Sequence, residues 1–388
     1  MSSVSCGATP RLYRGVCREL RRWRAWADCR SECFPTPSAH RPVSTTAPRP
    51  HGELNKPLKQ WTLIVNPFST VTVKLPCNVF VRPLDPHTFP EANRAFVTVR
   101  GTSADQGLKL DHISVKYDES DRELLIVSEK VNSNVSVEVT APVKSDLYIA
   151  ALGDGNVKIQ KMECDNCRVL TERGSSLLQS IKGHKVFVQS KGGNIICLGT
   201  IHGNVDISTT GASRVEIAKL QGTSMNISTE HGPLKVKYIY AESSSVCSTS
   251  GKIELGNVHG QATVQSERGD IVIDGSDGYL RASTHHGDID AYVNQSGTAE
   301  LSSQQGAISV RVPASMNAKV QLSGATVDIS PEIVLHETEH ISTDDGISVT
   351  AHLNGKADGK NWIKAQAARG TVSLRSQSWF ESLKIGKA

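Results

Sequence analysis

Residues 248–273 read STSGKIELGNVHGQATVQSERGDIVI, and the pattern of this segment indicates the fold of the chain. A glycine, Gly251 or Gly269, is followed each time by a short strand of alternating apolar and polar residues, as in Ile253-Glu-Leu255. The same glycine recurs every 18 to 21 residues, at Gly155, Gly174, Gly193, Gly211, Gly232, Gly251, Gly269, Gly287, Gly306 and Gly324. A fixed period near 20 residues is typical of stacked repeat architectures.

Each unit has the pattern expected for one coil of a two-sheet β-solenoid. A second alternating strand precedes the glycine, as Ala262-Thr-Val264 does, and the second turn often carries its own glycine, such as Gly260. The sequence therefore predicts an all-β fold: a right-handed β-solenoid of about ten coils over residues 151–388, with a C-terminal cap. A β-sandwich, or a propeller in which two units form each blade, is the alternative architecture.

Residues 58–150 also show β patterning but lack the glycine period. Their candidate strands alternate apolar and polar residues, as in Thr70–Leu75, and helical periodicity is absent. We expect an irregular N-terminal β region that caps the repeat array.

Residues 1–57 differ in composition from the rest of the chain. The first 50 residues hold nine Arg, no Lys and three acidic residues, and Leu12, Val16, Leu20 and Trp23 share one face at helical spacing. An Arg-rich, acid-poor amphipathic leader is typical of a mitochondrial transit peptide, and the Pro-rich stretch up to Pro57 reads as a linker. We expect cleavage within this segment and a location in the mitochondrial matrix. A disordered basic tail is the alternative.

The net charge of +4 originates in this leader, which contributes +6 and leaves −2 for the remainder. Nucleic-acid binding needs clustered cations that displace counterions, so we expect no nucleic-acid partner. No run of 18 apolar residues exists, and no transmembrane segment is predicted. Five cysteines remain beyond the leader, an odd number without a secretory signal, so a disulfide framework is not expected.

Several segments together resemble a known family. The stretch Gly153-Asp-Gly155-Asn-Val157-Lys-Ile159, followed by many S-x-x-G-x-[IV]-x-[IVL] units, is similar to the bacterial putative-adhesin domain family of unknown function. The resemblance covers roughly residues 60–375. It implies an all-β repeat fold and weakly suggests binding, and it brings no reaction, cofactor or catalytic residue.

The motif that comes nearest to known chemistry is His336-Glu337-Thr-Glu-His340, which matches H-E-x-x-H. On a helix its two histidines would share a face and bind zinc, with Glu337 as general base. The flanking sequence is β-like, however, and the third ligand of the extended motif is missing. We therefore interpret the motif as a chance match on a polar loop or strand.

Two further clusters could carry metal or redox chemistry. Cys164 and Cys167 form a lone C-x-x-C, which Cys197 would approach if successive coils stack in register; we interpret it as a thiol pair at a coil corner. Histidines precede corner glycines at His202, His231, His259 and His286. The first and third precede second-turn glycines and the others first-turn glycines, so a single histidine ladder is not expected.

The function predicted from the sequence is a non-enzymatic mitochondrial scaffold or binding module with an unidentified protein partner. We assign no catalytic, cofactor-binding or metal-binding residue and no cofactor. The alternative is a β-solenoid enzyme with an acidic or metal site, either carbohydrate-active or a metallohydrolase. Its candidate carboxylates lie on neighbouring coils, at Asp270, Asp274, Asp288 and Asp290. Ordinary solvated positions are the simpler interpretation of these four residues.

Overall fold

The computed structural model describes residues 56–101, 112–128, 135–343, 346–355 and 361–377. Within these ranges the chain is all-β and has no α-helix, and hence no helix long and apolar enough to cross a membrane. The predicted leader falls almost entirely outside the described residues and remains a prediction. The first strand begins at Lys56.

The strands are numbered here in chain order. They are β1 (Lys56–Ile64), β2 (Thr70–Leu75), β3 (Asn78–Pro83), β4 (Arg94–Gly101), β5 (Ser114–Asp118), β6 (Glu123–Val127), β7 (Ser136–Ala141), β8 (Asp146–Ala151), β9 (Val157–Gln160), β10 (Glu163–Thr171), β11 (Ser176–Ser190), β12 (Ile195–Ala212), β13 (Val215–His231), β14 (Leu234–Ser250), β15 (Ile253–Arg268), β16 (Ile271–His286), β17 (Ile289–Val293), β18 (Thr298–Gln305), β19 (Ile308–Val312), β20 (Ala318–Gly324), β21 (Thr326–Ile329), β22 (Leu335–Thr343), β23 (Gly346–Leu353), β24 (Trp362–Ala367) and β25 (Thr371–Ser376).

Parallel, in-register pairing between successive repeats confirms the β-solenoid. Ile253 pairs with Ile271, Ile271 pairs with Ile289, and Ile289 pairs with Ile308, so equivalent positions form one column along the stack. About nine turns follow one another in this way, between residues 146 and 312. The propeller alternative fails because propeller blades are built from antiparallel strands.

Each turn contributes to two sheets that enclose a thin core. The front sheet contains the strand segment that follows the periodic glycine, and the back sheet contains the segment that precedes it. Ile271 and Ile273 are fully buried on the front sheet, whereas Asp270 is exposed and Val272 half-buried. This period-two alternation places Val, Ile, Leu and Ala inside and polar residues outside. The predicted register is therefore confirmed.

The N-terminal strands continue the same stack, in an order that differs from the chain order. Strands β2 and β3 form a coil that lies between the coil β6–β7 and the coil β8–β9, because Val71 pairs with both Leu124 and Leu147. At this end of the stack, the front sheet is completed by the antiparallel strands β4 and β1. The back sheet is completed by the antiparallel strand β5. This non-sequential order explains why the sequence of the region looks irregular.

The C-terminal strands show the same arrangement. Strands β24 and β25 form a coil inserted between β18–β19 and β20–β21: Ile363 pairs with both Ala299 and Val320. Strand β23 then pairs antiparallel with β20 and with β22, so the hairpin β22–β23 closes the back sheet. A C-terminal cap was predicted. It is built from β20–β23, and the last described strands lie inside the stack.

Candidate functional site

The H-E-x-x-H residues lie on strand β22. A polar loop or strand at this position was the interpretation made from the sequence. His336 faces His352 across the antiparallel pair β22–β23, and His340 faces Val349. The register shifts between these two positions, where Glu337 adopts a positive φ of 51°. Both motif histidines are exposed. The helical face that brings two such histidines onto one zinc ion is therefore not formed.

The C-x-x-C thiols lie inside the solenoid. Cys164, Cys167 and Cys197 are 6%, 1% and 1% exposed, and all are free thiols. A hydrogen bond with Cys164, followed by burial, raises the pKa of Cys167 well above its usual value, and Cys197 adds to this rise. Burial raises the pKa of Cys197 itself to about 12. Cys197 therefore approaches the pair as expected, but the reactive or metal-binding form of cysteine is the thiolate, which this environment disfavours.

The four candidate histidines occupy two different corners, as expected. We call the turn with the periodic glycine the first corner of each coil and the other turn the second corner. His231 and His286 belong to one column at the first corner, with two coils between them. His202 and His259 belong to a column at the second corner, also with two coils between them. No group of three or more His, Cys, Asp or Glu in the described ranges is arranged as a metal site.

The four candidate aspartates do not converge. Asp270 accepts a hydrogen bond from the backbone N–H of Asp288 at 3.0 Å, and Asp288 accepts one from the N–H of Ala307 at 2.7 Å. Asn156 and Asn194 make the same contact in earlier coils, with the N–H groups of Ser175 and Arg214. Asp270 and Asp288 thus bind the backbone of the next coil at the first corner. Asp290 and Asp274 lie elsewhere, near a groove on the front sheet.

This groove lies on the outer surface of the front sheet and has a volume of about 1010 Å³. The outer groove, as we call it, is lined by Lys235, Val236, Lys237, Tyr238, Lys252, Glu254, Leu255, Gly256, Asn257, Val272, Asp274, Tyr292, Asn294, Gln295, Ser296, Pro313, Ala314, Ser315 and Gln377. Strands β14 to β16 pass the second corner without interruption, whereas the next two coils turn there in loops 294–297 and 313–317. Residues of these loops form one wall.

Ion pairs order part of the groove floor. Glu254 contacts Lys252 at 2.8 Å and Lys235 at 3.2 Å. The hydrogen bond from Lys252 holds the pKa of Glu254 below its usual value, and the same bond raises the pKa of Lys252. Lys237 is exposed and pairs with no carboxylate of the described chain. One lysine of the groove therefore keeps an uncompensated charge.

A half-buried arginine, Arg311, contacts two residues that line the groove, Tyr292 and Gln377. The Arg311 side chain donates to Asp290 Oδ1 at 2.7 Å, to Gln377 Oε1 at 2.7 Å and to the carbonyl of Ile273 at 3.4 Å. Its guanidinium lies 6.0 Å from the centre of the Tyr292 ring, which is only 3% exposed. Burial raises the pKa of Tyr292. Arg311 thus connects neighbouring coils through hydrogen bonds.

Stacked aromatic side chains lie beside the groove, in what we call the tyrosine patch: Lys219, Tyr238, Tyr240 and His259. Tyr240 stacks on His259 with ring centres 4.5 Å apart and on Tyr238 at 6.4 Å. The Lys219 ammonium lies 4.9 Å from the centre of the Tyr240 ring. Tyr238 and Tyr240 are 43% and 38% exposed. Exposed tyrosines at fixed positions are typical of binding surfaces.

The His259 end of the patch is held by a polar contact chain. His259 Nδ1 lies 3.4 Å from Asp277 Oδ2, and the Ser296 hydroxyl donates to Asp277 Oδ1 at 2.6 Å. Ser296 belongs to the loop wall of the groove, so patch and groove form one surface. This surface was not predicted from the sequence. The signal was the segment Tyr238-Ile-Tyr240, which exposes two of the chain's few aromatic residues at one corner.

Comparison with known proteins identifies the family. The family described as Toastrack DUF4097 matches residues 89–256 and, a second time, residues 202–375. The two matches together span far more than half of the chain.

Among solved structures, the chain is similar to putative adhesins of Parabacteroides merdae and Parabacteroides distasonis. The first is 13% identical with a TM-score of 0.31, and the match covers 84% of this chain and 97% of the other. The second is 14% identical with a TM-score of 0.32 and coverage of 81% and 96%. A third, described as a putative lipid binding protein of P. distasonis, is 12% identical with a TM-score of 0.32 and coverage of 84% and 98%. TM-scores this low carry no argument on function, and the assignment depends on the family match: the chain belongs to the Toastrack DUF4097 family, with a β-solenoid fold.

Proposed function

We propose that this protein is a non-enzymatic binding module whose ligand-binding surface is the outer groove together with the tyrosine patch. The observation that carries the proposal is the position of Tyr238, which lines the groove and stacks on Tyr240. Aromatic residues of this kind supply much of the energy in protein interfaces. A polar, open groove beside them provides hydrogen-bonding groups that set orientation. The partner is a protein in this proposal.

The contacts that the carboxylates make favour a binding function over a catalytic one. A hydrolase needs carboxyl groups that are free to give or take a proton at one reacting centre. Glu254 is held by two lysines and Asp290 by Arg311. Asp270 and Asp288 bind backbone N–H groups at the first corner. Three of the four aspartates proposed for an enzyme, Asp270, Asp288 and Asp290, are therefore committed to structural contacts.

The cellular location is a second element of the proposal. The Arg-rich, Lys-free composition of residues 1–50 supports import into mitochondria and a role in the matrix. The module would then act as a scaffold there.

Site-specific photo-crosslinking tests the binding surface. A photo-reactive residue at Gln295, in the loop wall of the groove, is compared with one at Gln265, which is exposed on the back sheet. In intact cells we expect a discrete crosslinked protein from position 295 that disappears in the Tyr238→Ala background. Equal products from both positions, or none from position 295, would contradict the proposal.

A further inference from the structure

Resting on the proposed function, we infer that the outer groove and the tyrosine patch bind an extended, acidic segment of a partner protein. The acidic side chains of the segment pair with Lys219 and Lys237. Its apolar side chains pack on Tyr238 and Tyr240. The charge, rigidity and length of the surface all favour a ligand of this class.

The charge of the surface is positive and only partly compensated. Lys235, Lys237 and Lys252 line the groove against two lining carboxylates, Glu254 and Asp274, and Lys219 adds a further ammonium at the patch. Asp277, which contacts His259 at the patch, is a third carboxylate of this surface, so four ammonium groups face three carboxylates. This local excess exists although the chain beyond residue 50 has a net charge of −2. Charge complementarity of this kind selects partners of opposite sign and speeds their association.

The two lysines assigned to ligand binding differ from the others. Glu254 already lies between Lys235 and Lys252, at 3.2 and 2.8 Å. Lys219 is placed over the Tyr240 ring and, like Lys237, pairs with no carboxylate of the described residues. A carboxylate from a partner therefore meets two ammonium groups that need not first give up an ion pair.

The aromatic contact surface is already ordered. The rings of Tyr238, Tyr240 and His259 are nearly parallel, with interplanar angles of 14° and 12°. Asp277 and Ser296 hold the far end of this stack. Side chains that are fixed before binding lose little conformational entropy when the ligand arrives.

The dimensions favour an extended chain. The groove crosses β14, β15, β16 and β17 and reaches loop 313–317, which follows β19, and neighbouring strands of a sheet lie about 4.8 Å apart. The floor is therefore roughly 19 Å long, which matches about six residues of extended peptide at about 3.3 Å each. A nucleic acid is the poorer fit, because Glu254 and Asp274 interrupt the line of cations that a phosphate backbone requires.

Fluorescence polarisation with defined probes tests the inference. The probes are a labelled dodecapeptide of alternating Glu and Leu, the same peptide with Gln in place of Glu, and a labelled oligothymidine of equal length. We expect the Glu-containing peptide to bind at least tenfold more tightly than the Gln-containing one, with affinity that falls as salt rises. The oligothymidine should bind more weakly than the acidic peptide.

Paired variants assign the contacts. The double variants Lys219→Glu/Lys237→Glu and Tyr238→Ala/Tyr240→Ala should each weaken binding at least tenfold, and only the first should also flatten the salt dependence. Matched controls are Lys319→Glu and Tyr148→Ala, which alter an exposed lysine and a 40% exposed tyrosine elsewhere on the solenoid. These should change affinity less than twofold. Unchanged circular dichroism and melting temperature verify that each variant is folded.

The outcomes separate this inference from the proposed function. Equal binding of the Glu and Gln peptides, no peptide binding, or tighter binding of oligothymidine would overturn the acidic-peptide inference. Loss of binding in the control variants would do the same. If position 295 gives the crosslink but the acidic peptide does not bind, the protein is still a binding module and only the proposed class of ligand is wrong. Peptide binding without any crosslink in cells rejects the proposed function.

Discussion

A Cβ atom on Gly193 would lie 1.9 Å from the carbonyl oxygen of Gly174, the equivalent residue one coil earlier. Contacts of this kind recur along the first corner, since Gly174 bears the same relation to Gly155. The hydroxyl of the buried Ser190 fixes the corner by donating to the Gly193 carbonyl at 2.8 Å and accepting from its N–H at 2.9 Å. The periodic glycine therefore has a steric cause, and at Ser190 the serine of the S-x-x-G unit adds two hydrogen bonds. The equivalent hydroxyls of Ser248 and Ser266 are buried without a hydrogen-bond partner among the described residues.

Gly193→Ala should destabilise the protein strongly, because neither the backbone of Gly174 nor the corner can move without disturbing the stack. We expect a loss of about 3 kcal/mol in the free energy of unfolding, at the upper end of the usual cost of overpacking. The adjacent Gly192 is the matched control: its added Cβ would lie 3.6 Å from the nearest atom, the carbonyl oxygen of Glu172. Gly192→Ala should change stability by less than about 1 kcal/mol. Urea denaturation of both variants measures the difference, and equal losses would contradict the steric explanation.

The register of the front sheet yields a second comparison. Ile271→Asp places a carboxylate in a dry core where Ile271 is fully buried, at a cost of several kcal/mol. Val272→Asp alters an outward position and should cost less than about 1 kcal/mol. Denaturation midpoints measure both. If Val272→Asp were the more damaging change, the two faces would be exchanged and the register would be wrong.

The repeat period and the alternation were sufficient to predict the solenoid, because both are properties of single coils. The order of the coils was not predictable. Val372 pairs with Ile308, and Val327 pairs with Val372 at the same position one coil further along the stack. Because both valines fit the same apolar pattern, the local sequence does not decide which of the two coils stacks against β19. The groove was missed for a related reason: it depends on contacts between side chains of different coils, such as Tyr240 with His259.

Buried thiols should make stability fall in alkaline solution. Burial raises the pKa values of Cys77 and Cys197 from 9.0 to about 12. Above about pH 9 the unfolded chain loses these protons while the folded chain keeps them, so stability is complete below pH 9 and is lost as pH rises toward 12. At pH 10 the loss should be about 1.4 kcal/mol per thiol relative to pH 8.

The double variant Cys77→Ala/Cys197→Ala isolates this effect. Its stability at pH 8 is expected to be lower than that of the wild type, because two buried side chains are shortened. Its further loss between pH 8 and pH 10 should be smaller by about 2.7 kcal/mol. Parallel pH profiles for the two proteins, measured by urea denaturation, would refute the assignment.

The leader yields a prediction about import. Residues 1–57 fused to a fluorescent reporter should direct it to mitochondria, because an Arg-rich amphipathic segment is the form that the import machinery recognises. Replacing Arg11, Arg14 and Arg18 by Glu in the fusion should abolish the localisation. A diffuse cytosolic signal from the unaltered fusion would rule out the transit peptide.

The inserted C-terminal coil leads to the last prediction. In a solenoid whose coils stack in chain order, removal of the final coil would leave all earlier coils paired. Here β24 separates β18 from β20, and β25 separates β19 from β21. A chain truncated after Gly355 should therefore lose the pairing of both neighbours and expose core residues such as Leu301 and Val320, which are fully buried in the complete protein.

Hydrogen exchange measures the consequence residue by residue. In the chain truncated after Gly355, we expect amides of β18 and of β20 to exchange much faster, with β14 and β15 unaffected, because repeat coils depend mainly on their neighbours. A chain truncated after Gln377 is the control: it retains β24, β25 and the Gln377 contact with Arg311, and it should exchange like the wild type. If the shorter truncation left β20 fully protected, β20 would have to pair directly with β18. The inserted position of the last coil would then be wrong.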